Sequence, residues 1–473
     1  MQVLRFIFIL LEVLVLFNVL IFVHELGHFL AARWRGMKVD RFAIWFGKPI
    51  WKKKIGGVEY CLGCIPAGGY VSLPQMATME AVEGKADSDV EELPPVTPLD
   101  KIIVAFAGPL FSFGLALAFA LIVMAVGRPV SEREKTTTVG FIETNGPAFK
   151  AGLRVGDRIL SVDGHPVKKF EGMGDSVKWR IVRSEGETIP ITVARAMPDG
   201  TTNLLTLEVT PVKEKTSALE RKSLRIIMIG PAFTAIIADV LTNSPAALAG
   251  LQKNDIVEAA NGKKLWSFGG LEEQVSETGT KPILLTVNRN GQRLEKTLVP
   301  AAPITPPNEK PMHGIAWLGS GKTELSHPGA IEQVKDSVNA MVQTFGALFS
   351  PKSDIKAQHL GGAVKIIEVY WKLFDAEQGW RLALWFSVLM NVNLAILNML
   401  PIPVLDGGHI TLALIEAARR KPLNERILKY IQTAFAVLVI GFMLYIFFYD
   451  SGDLIREKRS KNKEVEIKFA PPK

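Results

Sequence analysis

Four runs of apolar residues, at 6–32, 102–127, 382–400 and 431–448, stand out from a chain that is otherwise mixed in polarity. Each is long enough to cross a hydrocarbon core of about 30 Å as a helix, so the pattern predicts four membrane spans. The first is not expected to be a signal peptide, because it is too long, only Arg5 precedes it, and no small-residue cleavage site comes before charged sequence. Between the first two runs, residues 42–73 alternate apolar and polar positions. Ile55-Gly56-Gly57 reads as a turn and Gly68-Gly69 as a second break, which predicts a short hairpin-rich sheet. Residues 80–98 are acidic and contain prolines, the composition of a linker.

Between the second and third runs the pattern becomes that of soluble protein, and it repeats. Gly146-Pro147-Ala148-Phe149-Lys150-Ala151-Gly152-Leu153-Arg154-Val155-Gly156-Asp157 matches Ser244-Pro245-Ala246-Ala247-Leu248-Ala249-Gly250-Leu251-Gln252-Lys253-Asn254-Asp255. Each copy continues into two strand-like runs joined by a turn, at Pro198-Asp199-Gly200 and at Asn290-Gly291. Downstream, Ile331, Val334, Val338, Met341, Phe345 and Leu348 recur at helical spacing. That stripe suits a helix lying on the membrane surface, or equally one packed on the soluble modules.

Charge sets the orientation. Arg33, Arg35, Lys38, Arg41, Lys48 and Lys52 to Lys54 follow the first run and one arginine precedes it, so the first loop is expected in the cytoplasm and the repeated region outside. Arg419, Arg420 and Lys421 agree with this. Arg456, Lys458, Arg459 and Lys461 do not, so the tail is either an exception or the sign of a miscounted span. The net charge of +8 gathers beside the apolar runs rather than on a basic face with interleaved aromatics, which speaks against a nucleic-acid partner. Cys61 and Cys64 are the two cysteines of the chain. They lack the second pair that a structural zinc needs, and their flanks read as strand rather than the helix start that activates a redox thiol.

The chemistry lies in the first run, at His24-Glu25-Leu26-Gly27-His28. Histidines at i and i+4 share one helix face, one turn apart, so both rings reach one metal, and Glu25 is placed to activate water there. Two histidines and a carboxylate inside an apolar segment are costly unless they share a function. Glu12 and Asn18 of the same run are expected to make helix contacts. A catalytic zinc needs a third protein ligand and an open position, and no histidine follows His28 until His165. The best candidate is Asp406, just beyond a double-proline break of the third helix in Asn398-Met399-Leu400-Pro401-Ile402-Pro403-Val404-Leu405-Asp406-Gly407-Gly408. His409 and Glu416 are its rivals.

Val23 to His28, taken with Leu397-Asn398 through Asp406-Gly407, is similar to the site-2 protease family. The two soluble copies resemble PDZ domains in the bacterial arrangement, where the peptide-binding strand comes last. Together they look like the regulator-of-sigma-E protease branch, over nearly the whole chain. The resemblance implies an intramembrane metalloprotease with Zn2+ on His24, His28 and Asp406 and with Glu25 as general base. It also implies that Asn393 and Asn398 help position substrate, where helix–helix hydrogen bonds are the plainer reading of the residues. Gly68 and Gly69 would belong to a membrane-associated β-hairpin that pairs with an unwound substrate helix. The substrate would be a single-span protein, such as a membrane-bound anti-sigma factor already trimmed on its outer side. The PDZ strands, near residues 226–230 and 314–318, would add extended peptides or protein C-termini at their edge, unless the modules are spacers or size filters. Two positions depart from the family's pattern. Ser112 stands where asparagine is usual and Ala363 where proline is usual, and neither is expected to touch the metal set.

The expected fold is thus an α+β multi-pass membrane protein, with four transmembrane helices, a cytoplasmic β-hairpin region and two inserted PDZ-like α/β domains. Its parts are a first helix (1–34), a cytoplasmic loop (35–100), a second helix (101–128), two PDZ domains (129–221 and 222–322) and an amphipathic linker (323–380). A third helix (381–411), a short loop (412–429), a fourth helix (430–449) and a basic tail (450–473) complete it. The chain is placed in a bacterial inner membrane, with the modules on the periplasmic side and the active site near the cytoplasmic side. Rival functions are a membrane-anchored PDZ scaffold with a vestigial metal site and a metal transporter. The lack of repeated membrane halves argues against the transporter.

Overall fold

The computed structural model describes residues 2–76, 96–217, 219–307, 309–421, 423–461 and 466–471; of the acidic linker at 80–98, all but 96–98 lies outside these. In chain order, α1 (Gln2–Trp34) is followed by β1 (Arg41–Phe46), β2 (Trp51–Ile55), β3 (Val58–Leu62), β4 (Ile65–Ser72) and α2 (Pro98–Val126). The soluble region opens with β5 (Arg128–Ser131) and runs through β6 (Val139–Ile142), β7 (Arg158–Val162), β8 (His165–Pro166), α3 (Val177–Arg183), β9 (Ile189–Ala196), β10 (Thr202–Val209) and β11 (Ile229–Pro231). It continues with β12 (Ile237–Val240), β13 (Ile256–Ala260), β14 (Lys263–Lys264), α4 (Gly269–Thr278), β15 (Ile283–Arg289), β16 (Gln292–Leu298), β17 (Ile315–Trp317) and β18 (Thr323–Ser326). Then come α5 (Ala330–Phe349), α6 (Ala363–Asp375), α7 (Gly379–Asn398), α8 (Asp406–Arg419) and α9 (Glu425–Lys461). The chain forms two compact units, one of residues 1–128, 327–341 and 361–450, the other of 129–326, 342–360 and 451–473.

In the first unit, α1, α2, α7 and α9 are long and apolar enough to cross a membrane, and they correspond to the four apolar runs. A reciprocal cap starts α2: the Thr97 side chain accepts from the Asp100 N–H while the Asp100 carboxylate takes the Thr97 N–H. Leu20 of α1, Ala116, Phe119 and Ala120 of α2, and Val388 and Val392 of α7 form one core, with small residues where helices approach. The start of α5 joins it through Ala330 and Val334, and Gln333 Nε2 donates to the Ala120 carbonyl at 3.0 Å. Ile331, expected on the apolar stripe, is 72% exposed. The buried face is rotated because Gln333 finds carbonyl acceptors there, so this half of the helix packs into the bundle.

The third span is shorter than expected. It ends at Asn398 rather than at 411, because the prolines of the 399–405 turn cannot supply helix N–H donors, and Asp406 opens a new helix, α8.

The residues between the first two apolar runs form a sheet of order β2-β3-β1-β4. Gly56 and Gly57 are the two-residue turn between β2 and β3, where Ile55 pairs with Val58. Gly68-Gly69 is not a break. It lies inside β4, where the register against β1 shifts between Ile44 and Phe46, and Gly68 and Trp45 absorb the bulge at φ 72° and 68°. The Trp45 indole donates to Asn18 Oδ1 at 2.6 Å, so Asn18 anchors the sheet to α1 rather than meeting a second helix.

In the second unit, two modules share a topology. The sheets run β10-β9-β7-β8 and β16-β15-β13-β14, each with a two-stranded ribbon, β6–β11 and β12–β17. The repeated aspartates are structural: Asp157 and Asp255 are buried and take paired hydrogen bonds from Arg195 and Arg289, all at 2.7 Å. A buried charge demands such a partner. The boundary expected after residue 221 falls too early, since Ile227 is buried in the first module's core and β11 pairs with β6. Beyond the charged stretch at 213–222 the chain returns to complete the first module.

Ile304 and Thr305 pair with Lys468, and Phe469 is buried, so the end of the chain lies with the modules.

Candidate metal centre and catalytic cavity

His24 and His28 are buried on one face of α1. The Nδ1 of His28 lies 2.8 Å from the Val104 carbonyl of α2. A carbonyl only accepts, so that nitrogen carries the proton and Nε2 is left bare. The Nδ1 of His24 lies 2.9 Å from Ser112 Oγ, and its Nε2 is 3.3 Å from the Asn398 amide nitrogen. An amide N–H pointing at Nε2 requires a bare nitrogen there as well, which makes Ser112 the acceptor. The absence of asparagine at 112 was expected to leave the metal set untouched. Instead Ser112, fully buried, orients one of its histidines.

The two bare nitrogens are 3.4 Å apart. Asp406, in the first turn of α8, places Oδ2 3.3 Å from His24 Nε2 and Oδ1 3.3 Å from His28 Nε2. Bonds of roughly 2.0 to 2.1 Å at tetrahedral angles set donor atoms about 3.3 Å apart, so the spacing fits zinc. The chemistry agrees: Asp406 Oδ2 is buried with no hydrogen-bond donor among the described residues, and lone pairs that converge on one point need a cation. His24, His28 and Asp406 form the one cluster of this kind among the described residues.

Glu25 follows His24 on the helix, and both line a cavity of about 350 Å³ with His28, Asp406, Gly68, Gly69 and Asn398. The rivals of Asp406 separate here. His409 lies on the cavity wall, whereas Glu416 is paired with Lys101 at 2.7 Å. Asn393 is not on that wall, and its Oδ1 is buried without a hydrogen-bond partner among the described residues. Burial and a hydrogen bond to Glu59 push the Cys61 thiol up to about 11, which leaves it inert. A larger cavity of about 820 Å³ in the second unit holds none of these residues. Its carboxylates are already engaged, Glu132 by Thr234 and Glu258 by Asn288 and Arg293.

Val104 carried no signal in the sequence and the contact of Ser112 with His24 was not foreseen, because both act from α2, at positions with no metal-ligand signature. Ser112→Ala is expected to weaken zinc binding about tenfold to hundredfold, measured by competition with a chromogenic chelator. Unchanged affinity would show that the hydroxyl does not orient the ring.

The sequence profile of peptidase family M50 matches residues 12–442. The regulator of sigma-E protease RseP of Escherichia coli is 30% identical over 475 residues, covering 93% of this chain and 98% of that protein. The regulator of sigma E protease of Haemophilus influenzae is 30% identical over 450 residues, covering 91% and 96%. A Neisseria meningitidis protein that carries a zinc metalloprotease name is 29% identical over 447 residues, covering 91% and 96%.

Proposed function

The chain belongs to peptidase family M50, the site-2 proteases, and from that premise we propose that it hydrolyses peptide bonds within the transmembrane segments of single-span proteins. It is a zinc metalloprotease of regulated intramembrane proteolysis. The observation that carries the finer reading is the triangle of buried His24 and His28 with half-buried Asp406 at the foot of a membrane helix, open to a cavity that Glu25 shares.

In this reading His24, His28 and Asp406 hold the zinc. When bound there, the ion supplies Lewis-acid polarisation of the scissile carbonyl. Glu25 takes a proton from the attacking water and passes it to the leaving amide nitrogen. Asn398 orients the peptide from α7, and Asn393 is assigned no contact. A helical substrate hides its own N–H and C=O groups, so it must unwind, and the released groups need partners at membrane depth. The outer edge of β4, beside Gly68 and Gly69, offers them, since β4 ends its sheet. A Cβ at Gly69 would lie 2.9 Å from Ile21 Cγ2 and 3.0 Å from both Glu25 Cγ and the Ala43 carbonyl, so only glycine lets the strand reach the catalytic glutamate.

The family resemblance extends the substrate class to a membrane-bound anti-sigma factor trimmed beforehand on its outer side, in keeping with relatives named as regulators of sigma E. The modules at 129–231 and 232–322 act as PDZ domains on the periplasmic side of an inner membrane, taking peptide or protein C-termini or filtering untrimmed proteins. Purified protein in lipid vesicles is expected to cleave a single-span reporter, to stop when zinc is stripped by a chelator, and to resume when zinc returns. Cleavage that persists without zinc would end this reading. Gly69→Val should keep its zinc and lose about tenfold to hundredfold in cleavage, the scale of a misplaced substrate.

A further inference from the structure

The second module carries a contact that the first lacks, at the strand edge where a peptide would add. Strand β17 pairs with β12 on one side only. Leu241 N donates to the Gly314 carbonyl at 3.0 Å, which makes Val240 and Ile315 a non-hydrogen-bonded pair of the antiparallel ladder. The Ile315 N–H therefore faces away from β12, toward the open edge, where an added strand would use it. It is already taken: it donates to Nδ1 of His313 at 2.9 Å. An accepting Nδ1 fixes the neutral ring with its proton on Nε2, and that nitrogen lies 2.8 Å from Glu272 Oε1 on α4. The Trp317 indole donates to the same oxygen at 3.3 Å. His313 is buried and thus bridges the strand and the helix that would flank a bound peptide.

The first module is the internal control. Glu143 N donates to the Met228 carbonyl, so Ile142 and Ile229 are again a non-hydrogen-bonded pair and the Ile229 N–H faces the edge. Met228 and Gly314 share the left-handed conformation, at φ 59° and 74°. One residue earlier stand Ile227 and His313. Ile227 has no side-chain nitrogen to offer, so that edge is not capped in this way.

We propose that His313 is a proton-operated latch: neutral, it caps the Ile315 amide and closes the second module to an added strand, and protonated, it releases that amide. The reason is valence. A second proton turns Nδ1 into a donor facing the donor N–H of Ile315, so the bond cannot survive, whereas the imidazolium keeps its attraction for Glu272. Glu272 from α4 and Trp317 from the strand face the ring; Ser244 and Phe469 press on the adjoining Gly314. Of these Glu272 alone is charged. Burial pushes its carboxyl up, but the hydrogen bond and charge of His313, with the Trp317 indole, hold it below its usual range, so it remains the anionic partner in weak acid. A histidine is the side chain suited to a switch between about pH 5 and pH 8.

The consequence for peptide binding rests on reading the modules as strand-adding domains, but the latch is testable without any ligand, so the two fail separately. Hydrogen exchange of the 312–318 segment would be followed in the full-length, detergent-purified protein at about pH 7.5 and about pH 5.5, corrected for intrinsic rates. Acid is expected to cost the segment about fivefold to tenfold in protection, the worth of one hydrogen bond. The 226–231 segment of the first module should not respond. His313→Phe should show the low protection at both pH values. Should that variant misfold, ¹⁵N-histidine spectra of the unaltered protein decide, since a bare, accepting Nδ1 at the higher pH has a distinct shift. Protection that is the same at both pH values, an acid response retained by His313→Phe, or a protonated Nδ1 at the higher pH would each overturn the latch.

Discussion

Glu25→Gln is expected to lower cleavage of a single-span substrate about 10²-fold to 10⁴-fold, the range that a positioned general base contributes, while zinc content stays at that of the unaltered protein. The split follows from the geometry. The three atoms that converge belong to His24, His28 and Asp406; Glu25 shares their cavity without joining the triangle. Glutamine keeps the size of the side chain and removes only its capacity to take a proton. A metal ligand would behave otherwise, losing zinc and activity together. The measurement is therefore double: zinc per chain by elemental analysis, and single-turnover cleavage in lipid vesicles. Full activity in the glutamine variant would remove Glu25 from the proton path, and zinc loss would reassign it to the coordination set.

How much of this was legible beforehand depended on whether the chemistry was local. His24, Glu25 and His28 are separated by fixed helical increments, so their relation needs nothing beyond α1. Asp406 is 378 residues further along than His28, counting from the sequence numbers, and the proline break made it the best candidate while spacing alone left His409 and Glu416 as rivals. Packing separates two of the three, pairing Glu416 with Lys101 and bringing Asp406 to both histidines. Ser112 shows the opposite failure, a visible departure whose consequence was misjudged because its partner lies on another helix. Gly68-Gly69 misled because a glycine pair signals a break only until a neighbouring strand pairs with it, and the first module was ended too early because its closing strand β11 is short and pairs back with the distant β6. The four apolar runs recur as four helices long and apolar enough to cross a membrane, because length and composition are local properties of the sequence.

Gly108→Ala should be nearly as damaging as the loss of a zinc ligand, although glycine 108 has no side chain with which to bind anything. A Cβ built there would stand 2.1 Å from His28 Nε2, the atom that must reach the metal. Separating the helices instead would give up their close backbone approach at the same crossing, where a Cβ at Gly27 of α1 would lie 2.5 Å from the Ala107 carbonyl. The imidazole must then leave its rotamer, giving up both its place in the triangle and its hydrogen bond to Val104. Zinc affinity is expected to fall by more than about a hundredfold, beyond the range for losing an outer partner, and cleavage should fall with it. Gly114→Ala on the same helix is the matched control. A Cβ there meets nothing within 4 Å, and alanine is the better helix former, so zinc content and cleavage should be unchanged. Stoichiometric zinc and ordinary cleavage in Gly108→Ala would mean that α1 and α2 cross more loosely than this site requires.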